Sequence, residues 1–232
     1  MEKRRFRVFA IVLAGVGMVT TACSGGGGGA LPPAQQVTSV KLARTGQTTC
    51  YNAAGTEIAC ANTGQDGDKL AGVASPNPRF TTNADTTVTD SLTGLVWAPN
   101  GNIMPARDNN WDQDDTANDG GVTWQHALDY IAKLNTESYL GHTDWRLPNI
   151  NELESLIHGE YTSTALCGGA GCSDAVAWLN TQGFANVQAF AYWSSTTNVV
   201  DKTIAWFINN VGCVYRYDKA ADRYVWPVRS GQ

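Results

Sequence analysis

Two helical patterns set among short strand runs predict an α+β fold, and three observations carry that reading. Residues 123–135 repeat apolar side chains at helical spacing. Residues 149–157 carry a start signal for a second helix. On either side lie short runs punctuated by turn residues, and the last third is crowded with Tyr192, Trp193, Trp206, Phe207, Tyr215, Tyr217, Tyr224 and Trp226.

The first residues read as a leader. Lys3, Arg4, Arg5 and Arg7 precede an uncharged apolar run, Val8 to Val19, that is too short to span a bilayer. Small residues follow at Thr20, Thr21 and Ala22, so residues 1–22 are expected to be a signal peptide. Cys23, with Ser24 and five glycines behind it, resembles a bacterial lipoprotein start, which makes Cys23 the lipidation site and the membrane a partner through that anchor. Ordinary secretion with an incidental Cys23 is the other reading. Ser24 fits delivery to an outer membrane or cell surface. Residues 23–45, glycine-rich and then stiffened by Pro32-Pro33, form the tether. Removing residues 1–22 leaves 12 basic against 20 acidic side chains, a net charge of −8. That balance excludes nucleic acid as an expected partner.

Residues 46–78 are expected to be a small stapled hairpin. TTCYNAAGTEIAC is symmetric about Gly55, and a turn there brings Cys50 to Cys60; the bridge is worth about 2–3 kcal/mol in the entropic account. In CGGAGC the glycines let Cys167 return to Cys172. Cys213 is then left over, expected buried and inert. A zinc site is not completed by a second cysteine pair or by the widely spaced His126, His142 and His158.

Residues 79–232 form the main domain. RFTTNADTTVTDSLTGLVW reads as a meander with turns at Asn83-Ala84-Asp85 and Ser91 to Gly94. Residues 98–121 are a long polar loop. Its Asp112, Asp114, Asp115 and Asp119 are weak calcium candidates, because the EF-hand order fails and solvated acids explain them. Trp111 in this loop is expected to be exposed. The first helix follows, with Thr123 as N-cap and Trp124, Ala127, Leu128, Ile131 and Leu134 on one face.

In HTDWRLPNINELESLI, Pro148 forces a corner, Trp145 and Leu147 share one face, and Asn149 with Glu152 has capping-box spacing. Gly159 is placed to close that helix. Packing accounts for the whole step without chemistry. The remaining strands run through AFAYWSSTT, TIAWFINN, VGCVYRYD and DRYVWPVRS, with Pro227 expected at an edge or a bulge.

DSLTGLVW, TWQHALDYIAKLN, HTDWRLPNINELESLI, YWSSTT, AWFIN and YVWPVR occur in one order. In this the chain resembles the family named for the C-terminal domain of the Legionella collagen-like adhesin. The resemblance implies a C-type-lectin-like domain, two main helices packed on twisted, mostly antiparallel sheets with long loops. The adhesin itself binds sulfated glycosaminoglycans, whereas the charge here is −8. The Glu-Pro-Asn or Gln-Pro-Asp signature of calcium lectins is missing. Formylglycine-generating enzymes share the framework and the Arg-Leu-Pro step, but hold copper with late cysteines where this chain offers Cys213.

The functional expectation is a noncatalytic surface module, not an enzyme and without cofactor. It would recognise a glycan, matrix or protein ligand, with self-association into a homo-oligomer as a further possibility. Trp111, Arg216, Lys219 and Arg223 are the candidate ligand-binding residues, by their aromatic or basic character. A formylglycine-type oxidoreductase or a structural envelope component is the alternative.

Overall fold

Alternating burial along short strands builds three antiparallel sheets among the described residues, which are 42–112, 119–161, 173–209 and 212–231 of the computed structural model. The leader, Cys23, Asp114, Asp115, Cys167 and Cys172 lie outside them. The described residues all fall within one unit, Val40–Gln232. The fold is α+β.

The leading hairpin pairs β1 (Cys50–Tyr51) with β2 (Glu57–Ile58), turning through Gly55 at φ +79°. Its register sets Cys50 across from Ile58 rather than Cys60; the chain then bends, and Cys60 reaches Cys50 with 5.2 Å between Cα atoms. The short helix α1 (Asp66–Lys69) packs against this bridge. A Cβ at Gly67 would stand 2.9 Å from both sulfurs, so no side chain fits there.

The predicted meander is present as β3 (Phe80–Thr82), β4 (Val88–Asp90) and β5 (Leu95–Trp97), and β9 (Val228–Ser230) joins as the fourth strand beside β5. Arg79, just before β3, sits at 6 % exposure and forks onto Asp90 at 2.9 and 2.8 Å; Asp90 is fully buried. Asp90 also accepts the Leu92 amide and the Thr93 hydroxyl, so every donor it meets belongs to the meander turn or to Arg79.

The loop of residues 98–121 is less featureless than its composition suggests. Its start folds into α2 (Ile103–Arg107), pinned by buried Ile103 and Met104. Pro105 is tolerated because first-turn amides have no partner within a helix.

The first predicted helix is α3 (Trp124–Thr136), with the Thr123 hydroxyl accepting the His126 amide. Ala127, Ile131 and Leu134 are buried as expected, and Tyr130 is buried too, its hydroxyl donating to Asp108 at 2.8 Å. After the corner comes α4 (Ile150–Glu154), whose capping box is complete: Asn149 accepts the Glu152 amide at 3.0 Å, and Glu152 accepts the Asn149 amide at 2.8 Å. Gly159 does not close α4, which ends earlier at Ser155. Its missing side chain instead lets Thr45 and Gln47 approach within 3.3 Å of where a Cβ would sit. A further helix, α5 (Ser173–Thr181), packs through Ala175 and Leu179.

The third sheet orders β6 (Ala191–Thr197), β7 (Ile204–Asn209) and β8 (Val214–Asp218), with β8 at the edge. The chain after β8 laces the sheets together. Arg223 bridges to Val122, Tyr224 lies beside Tyr192, and Val228 bridges to Arg146. Pro227 falls just ahead of β9, where its carbonyl accepts the Ala98 amide at 2.9 Å. Trp97, Trp145, Trp193 and Trp226 are each at most 2 % exposed and fill the core. Trp226 meets Trp97 and Phe184 edge-on, at 5.6 and 5.1 Å between centroids.

Candidate functional site

The Trp-Arg-Leu-Pro step is scaffold. Trp145 and Leu147 are each 2 % exposed, and the Trp145 indole donates to the Tyr139 carbonyl at 2.8 Å. Arg146 forks onto Glu152 at 2.6 and 2.7 Å, which joins the extended segment to the helix it precedes. Burial would push the Glu152 carboxyl up, yet Arg146 and the Asn149 amide hold it below its ordinary value.

Three of the four candidate ligand-binding residues, Arg216, Lys219 and Arg223, lie on or beside the edge of the third sheet. Strand alternation separates them. Arg216 lies across from Trp206 and rests over its ring at 5.6 Å, on one face. Tyr215 and Tyr217 occupy the other, with Tyr215 beside Phe207 at 5.9 Å. Arg223 rejoins that second face from the returning chain, over Phe207 at 4.8 Å, Tyr217 at 5.3 Å and Trp193 at 5.8 Å. Lys219 follows on the same side, its ammonium 3.9 Å above the Trp124 ring and 3.0 Å from the Thr197 hydroxyl. Residues 122–124 tie the two cations: Val122 pairs with Arg223, and the Trp124 amide donates to the Lys219 carbonyl at 2.9 Å.

Of the four candidates from sequence, the structure brings Lys219 and Arg223 together and leaves Arg216 and Trp111 apart from them. Lys219 and Arg223 share a face with Tyr215, Tyr217 and Trp124; Arg216 does not. None of the ion pairs among the described residues uses Arg216, Lys219 or Arg223. Their charges are held over rings instead, and the Arg223 Nε is buried without an acceptor. Desolvation pulls the Arg223 guanidinium below its ordinary value. Tyr215 and Tyr217 remain 43 % and 57 % exposed, so the face offers two accessible rings beside two cations. The tyrosines were not singled out from sequence, although their odd-numbered register with Lys219 is readable there.

Trp111 is half-buried rather than exposed. Its ring lies 5.3 Å from His126 and 6.0 Å from Tyr130, because the turn at 109–111 folds back on α3. Of the acidic loop, Asp112 is buried and accepts the Gly120 amide at 2.8 Å, while Asp119 accepts the Gly121 amide at 2.7 Å. One oxygen of each carboxylate is used in shaping the loop. No group of three or more His, Cys, Asp or Glu is placed to hold a metal ion among the described residues.

The histidines serve three separate places. His126 contacts the Trp111 carbonyl, His142 lies 2.7 Å from Asp85, and His158 packs beside Tyr161 and Trp178, which stack on each other. Cys213 is half-buried and disulfide-bonded, which corrects the expectation of an inert thiol left over. Its spacing alone carries no signal for this, since five cysteines allow many pairings.

A second cluster went unseen in the sequence. Glu160 accepts the Thr49 amide at 2.8 Å, the Thr49 hydroxyl at 3.0 Å and the Thr48 hydroxyl at 3.1 Å, and also takes the Thr48 amide. These donors, the Thr48 amide foremost, hold the Glu160 carboxyl below its ordinary value. They clasp the segment leading into β1 to the chain that follows α4.

The family model described as Lcl C-terminal domain matches residues 86–229, the span from the meander to β9. No curated protein matches the chain.

Proposed function

Because this chain belongs to the Lcl C-terminal domain family, we propose that it is a noncatalytic binding module that recognises a glycan, matrix or protein ligand at a cell surface. The family points to a surface or adhesin-related role, and no described helix is long and apolar enough to cross a membrane. Anchoring through lipidated Cys23 and a C-type-lectin-like framework are part of the same proposal. They rest on the leader pattern and on the α+β arrangement of sheets and helices.

One observation carries the reading: Lys219 and Arg223 lie over aromatic rings and in none of the ion pairs among the described residues, beside two exposed tyrosines. Most other cations here are neutralised by acids, as Arg79, Arg107, Lys133, Arg146 and Arg229 are. A cation held over a ring keeps its charge available, and the ring keeps an apolar platform. Together they suit a ligand with a flat C–H face and a polar or acidic substituent, as sugars have. The rigid sheet supplies preorganisation, so little ordering entropy is lost on binding.

Chemistry is not part of the proposal. The histidines stand apart from one another, and Cys213 is tied up in a disulfide instead of offering a thiolate. The test is a glycan and matrix-protein array probed with the full chain and with Tyr217→Ala. We expect a ligand whose signal drops at least tenfold in the variant while thermal stability is kept. A ligand held equally well by Tyr217→Ala and by Lys219→Ala would move the site elsewhere, and silence across the array would count against a binding module.

A further inference from the structure

We propose that the free edge of β8 pairs antiparallel with β8 of a second copy of this chain, joining two three-stranded sheets into one of six. The inference stands apart from the ligand reading and starts from the hydrogen-bond phase of the strand. The Asn209 amide donates to the Cys213 carbonyl at 3.1 Å, and the Lys219 amide to the Thr203 carbonyl at 2.9 Å. With the β7–β8 register, these bonds turn the amides and carbonyls of Cys213, Tyr215, Tyr217 and Lys219 towards β7.

Those of Val214, Arg216 and Asp218 therefore point outward. No hydrogen bond among the described residues occupies the outward groups of Val214 or Arg216, and Tyr215, Arg216, Tyr217 and Asp218 are all exposed. The strand carries no proline and pairs with β7 without a bulge, so two of the usual protections of an edge are missing, and its charges, Arg216 and Asp218, are of opposite sign.

Charge complementarity selects the occupant and the register. A twofold axis through Tyr217 sets Arg216 of each copy across from Asp218 of the other; the Asp218 carbonyl already accepts the Ala221 amide at 3.0 Å, so the pairing rests on the Asp218 amides donating to the Arg216 carbonyls across the axis. Tyr217 meets its own counterpart, and Tyr215 faces Lys219 of the second copy. Opposite charges and aromatic pairs directly across a ladder stabilise it. The neighbouring register, centred on Arg216, would oppose two like charges instead.

The test uses the full chain in mild detergent, which keeps its apolar leader in solution. Sedimentation should give a concentration-dependent dimer. Arg216→Asp should weaken it at least tenfold, and the double variant Arg216→Asp with Asp218→Arg should restore it, which separates lost pairing from lost folding. Under mild oxidation Tyr217→Cys should cross-link through position 217, identified by peptide mapping, and Tyr215→Cys should not cross-link to itself. A monomer at all concentrations, a trimer, a dimer indifferent to Arg216→Asp, or equal cross-linking at 215 would each overturn the proposal.

Discussion

At the scale of single residues, the most consequential charge is hidden. Arg79 and Asp90 face each other inside the meander with almost no solvent contact. Removing one member of such a pair leaves the other stranded, so Asp90→Ala should cost about 3–5 kcal/mol in urea denaturation. Replacing both, as Arg79→Met with Asp90→Leu, should cost far less. The Trp97 indole nitrogen is buried without an acceptor, whereas that of Trp226 donates to the Ala98 carbonyl at 2.9 Å. Trp226→Phe should therefore be more damaging than Trp97→Phe by about 1–3 kcal/mol. His158 gives a pH signature. Burial first, and then the nearby Arg79 charge, lowers its folded value below the ordinary 6.5, against a smaller opposing pull from Glu160. As pH falls through 6.5 the unfolded chain takes up the proton first, so stability drops from there until the folded value is passed. The denaturation midpoint should fall between pH 7.5 and 5.5, and His158→Gln should flatten that slope.

At the scale of elements, the corner before α4 concentrates several weak devices in a few residues. Trp145→Ala should destabilise by about 3–5 kcal/mol through loss of a buried aromatic. Asn149→Ala should cost about 1 kcal/mol through loss of the cap. Thermal melts of the two variants would rank them. This corner, the meander and α3 were readable beforehand because each is specified by neighbours in sequence: a proline, a cap, an alternation, a period. Helix α5 was not. It follows the glycine-rich CGGAGC segment without a readable start signal, and its buried Ala175 and Leu179 are too few to establish a period. The Arg79–Asp90 pair escaped for another reason, since only the register of β3 on β4, with Phe80 across from Asp90, brings them together. The face formed by Lys219, Arg223 and the two tyrosines was half legible. Odd and even positions on β8 can be counted, but the return of Arg223 depends on the lacing of residues 222–228 between sheets.

For the whole molecule, acid is the general threat. Asp85 is drawn down to about 2 by the Thr87 hydroxyl and by His142. Asp144 and Glu160 are lowered chiefly by hydrogen bonds to Arg229 and the Thr48 amide respectively, and Asp108 is lowered by Lys133, Tyr130 and Arg107 despite its burial. Each contributes stability that is fully present above its ordinary value near 4 and is lost as pH falls through its folded one. A melting series from pH 5 to pH 2 should show a steep loss, shallower in Asp85→Asn. The clasp at Glu160 has a mechanical side as well. Tension applied at the front of the chain meets the Gly159 amide on the Thr45 carbonyl and then the Glu160 carboxylate on Thr48 and Thr49 before any core strand. Stretching the molecule should release the stapled hairpin in a small early rupture, leaving the tryptophan-filled body intact. The expected consequence is a shock absorber, a front that yields before a tug reaches the sheets.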